Sequence, residues 1–171
     1  KISVSKWQQK YYQEKHAIET IYIPNGVDVV RCDFADSISF KKKIGVDDFI
    51  LNVSRHDPVK NPGEFVRLAE RIPSFQFVII GPGLSVDIFE KEYGIKPPPN
   101  LLIYGEASIQ TVQNAIAACS VLVSTSKKEG LPTLILEGMA HGKPVIVSNE
   151  PGSMEAIDHG AYGLFYELGN I

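Results

Sequence analysis

From about residue 49 onward, short apolar runs alternate with stretches of helical periodicity. The runs are rich in β-branched residues and mostly lack polar alternation, which is typical of parallel strands covered on both faces. They occupy residues 49–53, 75–80, 101–104, 121–124, 144–147 and 163–166. Strand and helix in regular succession indicate right-handed βαβ crossovers. The sequence therefore predicts an α/β domain with a doubly wound, mostly parallel sheet of about six strands.

The helical stretches carry start signals. Asn61 is suited to an N-cap, Pro62 to the first turn and Glu64 to the third helical position. Ser108 precedes a second helix, and Pro132 begins a third. These signals fix where the loops after the strands end.

The first part of the chain follows a different pattern. Residues 5–17 resemble an amphipathic helix, and an extended stretch then leads into a Pro-Asn-Gly turn at residues 24–26. The lysine run at residues 41–43 is interpreted as a solvated helix face. We interpret residues 1–46 as an N-terminal helix and interdomain linker, and residues 47–171 as one domain, truncated at its C-terminal end, of a longer protein.

Charge and cysteine content narrow the function classes. Seventeen basic and twenty acidic residues give a formal net charge of -3, which argues against a protein that coats nucleic acid or a membrane surface. Cys32 and Cys119 have neither metal nor redox spacing. No apolar run has the length of a bilayer span. We expect a cytoplasmic protein with no nucleic-acid partner, which further parts of the polypeptide could bring to the cytoplasmic face of a membrane.

Ligands of open parallel sheets bind at the carboxyl ends of the strands. The loop after the first core strand contains Arg55 and Lys60, just before the helix that begins near Pro62. Cations beside a helix N-terminus form a natural anion site. The alternative is an ordinary surface loop in which Arg55 pairs with Asp57.

The loop after the second strand contains Gly81 and Gly83, which would let a ligand approach the backbone closely. The alternative is a plain turn. The dinucleotide fingerprint Gly-x-Gly-x-x-Gly is absent after the first core strand. This absence disfavours a nicotinamide-dependent dehydrogenase.

Two carboxylates flank the start of the third helix. Glu129 lies in the loop, and Glu137 follows it by eight residues, roughly 7–8 Å along the helix from Pro132. The pair could bind hydroxyl groups on two parts of an extended polyol ligand, beside free N–H groups near Leu131, Thr133 and Leu134. The alternative is that both are solvated charges, but an unpaired carboxylate in so apolar a helix would be costly.

The chain resembles the donor-binding, C-terminal half of family-four retaining glycosyltransferases of GT-B architecture. The resemblance rests on several motifs in the expected order: Pro24-Asn25-Gly26-Val27-Asp28, Arg55 with Lys60-Asn61, Gly81-Pro82-Gly83, Glu129-x7-Glu137 with Gly130, Met139-Ala140-His141-Gly142-Lys143-Pro144 and Pro151-Gly152-Ser153-Met154-Glu155. Each motif is weak alone, and together they are specific.

The resemblance implies roles for these residues. Arg55 and Lys60 would hold the diphosphate of a nucleotide-diphospho-sugar and stabilise the leaving group. Glu129 would bind hydroxyls of the transferred sugar, and these three residues would be catalytic. Glu137 would bind the ribose. The remaining donor-binding residues would be Gly81, Gly83, Tyr104, Gly130, Leu131, Thr133 and Leu134.

The resemblance also implies that a hexose-type sugar is transferred to a glycan or lipid acceptor with retention of configuration. Preorganised cations and helix amides can replace a divalent metal, and no Asp-x-Asp pair occurs near the site, so neither metal nor cofactor is expected. The acceptor domain would be a further part of the polypeptide, and this chain alone would be inactive. A nucleotide-sugar 2-epimerase and a non-catalytic nucleotide-sugar-binding module remain open as alternatives.

Overall fold

A computed structural model describes residues 1–170 of the chain. The strands, in chain order, are β1 (Ile2–Ser3), β2 (Ile21–Tyr22), β3 (Ile50–Val53), β4 (Phe77–Ile80), β5 (Leu101–Gly105), β6 (Val121–Ser124), β7 (Val145–Ser148) and β8 (Leu164–Tyr166). The helices are α1 (Lys6–His16), α2 (Val30–Asp33), α3 (Ser37–Ile44), α4 (Pro62–Arg71), α5 (Val86–Tyr93), α6 (Ile109–Ala118), α7 (Thr133–Ala140) and α8 (Pro151–Ala156). A 3₁₀ turn follows α8 at Asp158–Gly160.

Six strands form the main sheet in the order β5-β4-β3-β6-β7-β8, and every neighbouring pair is parallel. The chain winds outward from β3 in one direction and, after crossing back to β6, outward in the other. The predicted doubly wound α/β fold is therefore confirmed. The direction reverses between β3 and β6, and this switch point is where such sheets bind ligands.

Each face of the sheet carries its own apolar layer. Phe65 of α4 and Phe89 of α5 pack on one face, whereas Phe40 of α3, Ile116 of α6 and Ile135 of α7 pack on the other. All five side chains are at most 2% exposed, and burying each contributes about 1.5–3 kcal/mol. These two layers explain why the strands read as continuous apolar runs rather than as alternating ones.

Two local predictions are wrong in detail. The second core strand begins at Phe77 rather than at residue 75, because the Asn100 side chain donates to the Phe75 carbonyl and holds it out of the ladder. Asn61 does occupy the N-cap of α4, but its side chain accepts no backbone hydrogen bond. It donates instead to the Glu64 carboxylate.

The N-terminal segment contains a separate two-stranded sheet. β1 and β2 pair in parallel across α1, and the Ser5 hydroxyl caps α1 by accepting from Gln8 N. The predicted helix at residues 5–17 is thus confirmed. The boundary at residues 46 and 47 stays a prediction.

Candidate functional site

The loops after β3 and β6 meet at the switch point because these two strands are neighbours in the sheet. The ladder between the strands stops early. The last paired residues are Leu51 and Leu122. Beyond them the Asn52 side chain bridges the gap: its Nδ2 donates to Val123 O at 2.9 Å, while its Oδ1 accepts from Ser54 Oγ at 2.7 Å. The strands therefore separate beyond this point, and the Asn52 amide supplies a hydrogen bond to Val123 O in place of the backbone ladder.

Two further hydrogen bonds hold the loops together. Lys127 N donates to Val59 O at 2.6 Å, and Thr125 Oγ1 donates to Lys60 O at 3.0 Å. The β3–α4 loop and the β6–α7 loop are therefore in direct contact. Arg55 and Lys60 lie in the first loop and Glu129 lies in the second.

Lys60 and Glu129, from these two loops, form an ion pair. Their side chains are 26% and 16% exposed, so water screens the pair less than a surface pair. The predicted anion-binding cation and the predicted hydroxyl-binding carboxylate are thus direct neighbours.

Arg55 also lies in the β3–α4 loop. Its Nε and Nη2 donate to Asp57 Oδ2 at 2.9 and 2.7 Å, which is the pairing that the surface-loop alternative predicts. Asp57 Oδ1 in turn accepts from Val59 N, and this hydrogen bond, followed by the Arg55 guanidinium, lowers the pKa of Asp57. The Arg55 side chain remains 63% exposed, so the guanidinium is both oriented and accessible.

A cleft of about 210 Å³ opens beside these cations. Its lining comprises Val53, Ser54, Arg55, Lys60, Ile80, Gly81, Pro82, Ala107 and Val112. At Gly81 a Cβ atom would lie 1.9 Å from Ser54 O. Only glycine allows the loops after β3 and β4 to come this close, which explains the Gly81 signal.

Two other predicted residues lie outside that lining. Gly83 sits beside His56. The Tyr104 ring packs against Phe40, with Lys43 Nζ 5.1 Å from its centroid. Their roles in donor binding stay predictions.

Helix α7 begins directly after the β6–α7 loop that carries Glu129. Pro132 occupies the N-cap, so Thr133 and Leu134 supply the first-turn N–H groups that a helix leaves without internal acceptors. Gly130 and the buried Leu131 lead directly into this turn. The sequence signals for this helix start are confirmed.

Glu137 lies one turn further along α7 and is held by a residue that sequence analysis missed. Gln113 of α6 donates through Nε2 to Glu137 Oε2 at 3.3 Å, and its Oε1 accepts from His141 Nε2 at 2.8 Å. Burial raises the pKa of Glu137, and burial followed by the Lys143 charge lowers the pKa of His141. A polar residue on the apolar face of α6 was the only signal for Gln113.

Within residues 1–170, no group of three or more His, Cys, Asp or Glu side chains is arranged to hold a metal ion. In the same part of the chain, no helix combines the length and hydropathy needed to cross a bilayer.

The model of the family described as glycosyl transferases group 1 matches residues 34–171. The chain belongs to this family. The resemblance inferred from the motifs is therefore confirmed, and α1, β1 and β2 lie outside the matched region.

Sequence comparison gives a curated relative in Escherichia coli, a UDP-Gal:alpha-D-GlcNAc-diphosphoundecaprenol alpha-1,3-galactosyltransferase. The two are 34% identical over an alignment of 164 residues, and the match covers 87% of this chain and 41% of the relative. The chain thus spans less than half the length of this glycosyltransferase.

Solved glycosyltransferase-like structures share the fold. A glycosyltransferase from Rickettsia africae superposes with a TM-score of 0.84 and 22% identity, over 99% of this chain and 49% of that one. Anabaena HepE, solved in complex with UDP-glucose, gives a TM-score of 0.80 and 23% identity, over 99% of this chain and 50% of that one. In each case the chain corresponds to about half of the solved protein.

Proposed function

We propose that this chain is the donor-binding half of a retaining hexosyltransferase that uses a nucleotide-diphospho-sugar. The observation that carries the proposal is the meeting of Lys60, Glu129 and the start of α7 at the switch point of the sheet. The E. coli relative is named for a UDP-Gal donor, so UDP-galactose is the first donor to test. A glycan or glycolipid acceptor would bind to a further part of the polypeptide.

The diphosphate would lie between Arg55, Lys60 and the first-turn N–H groups of α7. Both side chains are cationic donors, and charge-assisted hydrogen bonds to phosphate are stronger than hydrogen bonds between neutral groups. When phosphate enters, Lys60 exchanges its carboxylate partner for a phosphate oxygen. Asp57 keeps the Arg55 guanidinium in the loop through its two hydrogen bonds.

Glu129 would then be free to accept hydrogen bonds from hydroxyls of the transferred sugar. The ion pair with Lys60 keeps this partly buried carboxylate partnered while the cleft is empty. In the donor the sugar is bonded directly to the diphosphate, so the groups that bind them should be neighbours, as Glu129 and Lys60 are. Because Lys60 and Glu129 change partners together, we expect the sugar and the diphosphate to bind cooperatively.

Glu137 would accept hydrogen bonds from the ribose hydroxyls. Burial raises the pKa of this carboxyl group, which means that its charged form is disfavoured in the empty site. Hydroxyl donors would relieve that penalty. A half-buried carboxylate held by one amide is better explained by ligand binding than by stability.

Glycosyl transfer develops positive charge on the sugar and negative charge on the departing diphosphate. Arg55, Lys60 and the α7 N–H groups would stabilise the leaving group in a preoriented arrangement. We propose that they do this without a divalent metal. In a preparation that transfers sugar, EDTA should leave the rate unchanged, and the product should keep the anomeric configuration of the donor.

Calorimetry of the 171-residue chain with UDP-galactose, UDP, GDP-mannose and ADP-glucose tests donor binding. Loss of one charge-assisted contact, in Arg55→Ala or Lys60→Met, should weaken binding about 10- to 100-fold. Arg71→Ala and Lys91→Met are matched controls, because both remove exposed charges outside the cleft lining.

The sugar assignment has its own test. Glu129→Gln should reduce the affinity for UDP-galactose to nearly that for UDP. UDP itself should bind no more weakly than to wild type, because Lys60 then has no carboxylate partner to leave. Equal affinities in wild type, Arg55→Ala and Lys60→Met would overturn the diphosphate assignment. Failure of the wild-type chain to bind any of these nucleotides would overturn the proposal as a whole.

A further inference from the structure

Two side chains of the N-terminal segment donate hydrogen bonds to successive carbonyl groups of the β6–α7 loop. Trp7 Nε1 donates to Gly130 O at 2.8 Å, and Asn25 Nδ2 donates to Leu131 O at 2.7 Å. The two donors lie 123 and 106 residues away from their acceptors in sequence. Both also lie outside the region that the family model matches.

The same segment packs closely against the loop. A Cβ atom on Gly130 would lie 2.6 Å from Gln8 Nε2 and 3.0 Å from Val4 Cγ2. A Cβ atom on Gly152 of α8 would lie 2.2 Å from Glu129 O. The loop backbone is therefore in close contact with both α1 and α8.

Glu155 connects these two helices. Its Oε1 accepts from Lys6 N at 2.7 Å and its Oε2 from Trp7 N at 3.0 Å. These are first-turn N–H groups of α1, which lack intrahelical acceptors and attract negative charge. Glu155 thus fixes the start of α1, and with it the backbone from which the Trp7 indole reaches Gly130.

We propose that Trp7 and Asn25 are positioning residues for the donor: they fix the backbone at residues 129–131 so that Glu129 and the α7 N–H groups face the ligand. This inference rests on the proposed function. It follows from the partner exchange required of Glu129, whose side chain must leave Lys60 while its backbone stays in place. A loop ordered in advance avoids the entropy loss of ordering it on binding.

The test uses Trp7→Phe, which removes the indole N–H but keeps an aromatic ring, and Asn25→Asp, which replaces the donor with an isosteric acceptor. Loss of one neutral hydrogen bond should weaken UDP-galactose binding about three- to tenfold. The affinity ratio of UDP-galactose to UDP should also fall, because Glu129 is displaced. Gln9→Met is the matched control: Gln9 Nε2 donates to Thr20 O at 2.7 Å within the segment and does not reach the loop.

A second readout needs no nucleotide. The ¹⁵N heteronuclear NOE at Gly130 and Leu131 should fall in Trp7→Phe and Asn25→Asp, and should stay at the wild-type value in Gln9→Met. If both variants only lower the urea midpoint and keep the wild-type affinity ratio, the donor-positioning role is overturned. If the wild-type chain binds no nucleotide, the proposed function is overturned. If the NOE is also unchanged in Trp7→Phe and Asn25→Asp, then these side chains do not order the loop backbone either.

Discussion

The Lys60 ammonium and the Glu129 carboxylate form an ion pair that joins the loops after β3 and β6. The two residues are 69 positions apart in sequence. Their proximity follows from the strand order, which makes β3 and β6 neighbours at the centre of the sheet. The pair therefore reports directly on the geometry of the switch point.

A double-mutant cycle should detect this pair. Lys60→Met, Glu129→Gln and the double variant should give a favourable coupling free energy of about 0.5–1 kcal/mol in urea unfolding. The coupling should decrease at high salt, since screening weakens an ion pair that is still partly exposed. Additive single effects would contradict the ion pair in solution.

Gly81→Ala should destabilise the chain by more than about 2 kcal/mol, because the new Cβ atom would lie 1.9 Å from Ser54 O. The measurement is chemical unfolding of wild type and variant. Gly26→Ala is the control, since a Cβ atom there meets nothing within 4 Å. Equal stability of both variants would show that the loops after β3 and β4 are not in close contact.

Glu137→Gln should change how stability depends on pH. Burial raises the native pKa of Glu137 above its ordinary value of 4.5, so the native chain holds this proton to higher pH than the unfolded chain. The stabilisation is complete below the ordinary pKa and is lost as pH rises through the raised native pKa.

The stability of Glu137→Gln relative to wild type should therefore increase as the pH rises from about 4 to about 7 in urea unfolding. His141 is present in both proteins, and its own titration largely cancels in the difference. Glu90→Gln, an exposed change on α5, is the control for the removal of one carboxylate. A difference that does not vary with pH would rule out a raised pKa at Glu137.

Asn52→Ala should cost about 1–3 kcal/mol, because it leaves Val123 O and Ser54 Oγ without their buried partner. Asn149→Ala removes an exposed amide that donates to Glu167, and should cost much less. Thermal unfolding of both variants provides the comparison. Similar losses would argue against a special role for Asn52 at the switch point.

The sequence predicts the sheet well because its strands are covered on both faces and therefore read as apolar runs. The ends of the strands are predicted less accurately. Phe75 is of a residue type common in strands, yet it is 56% exposed and lies before β4, where its carbonyl accepts a hydrogen bond from the Asn100 side chain. A hydrogen bond from a side chain 25 residues away leaves no local pattern.

In the candidate site, too, local features could be predicted and long-range contacts could not. Arg55, Lys60 and Glu129 could be proposed from their places after strands and before helix starts. The Arg55–Asp57 pair could also be proposed, because the two residues are close in sequence. The Lys60–Glu129 pair could not, because Glu129 is close to Lys60 only in the fold. Gln113 and Trp7 were missed as site residues because their contacts depend entirely on tertiary packing.

The early end of the β3–β6 ladder also bears on how the domain opens. All other neighbouring strands in the main sheet are consecutive in sequence, so the sheet consists of two three-stranded lobes, β3–β5 and β6–β8. Within residues 1–170, the only strand pair between the two lobes is β3 with β6, which forms the seam. Such lobes are natural cooperative unfolding units. A donor that contacts Lys60 in one lobe and Glu129 in the other would link the two lobes. We expect it to slow amide hydrogen exchange most strongly in β3 and β6, along the seam.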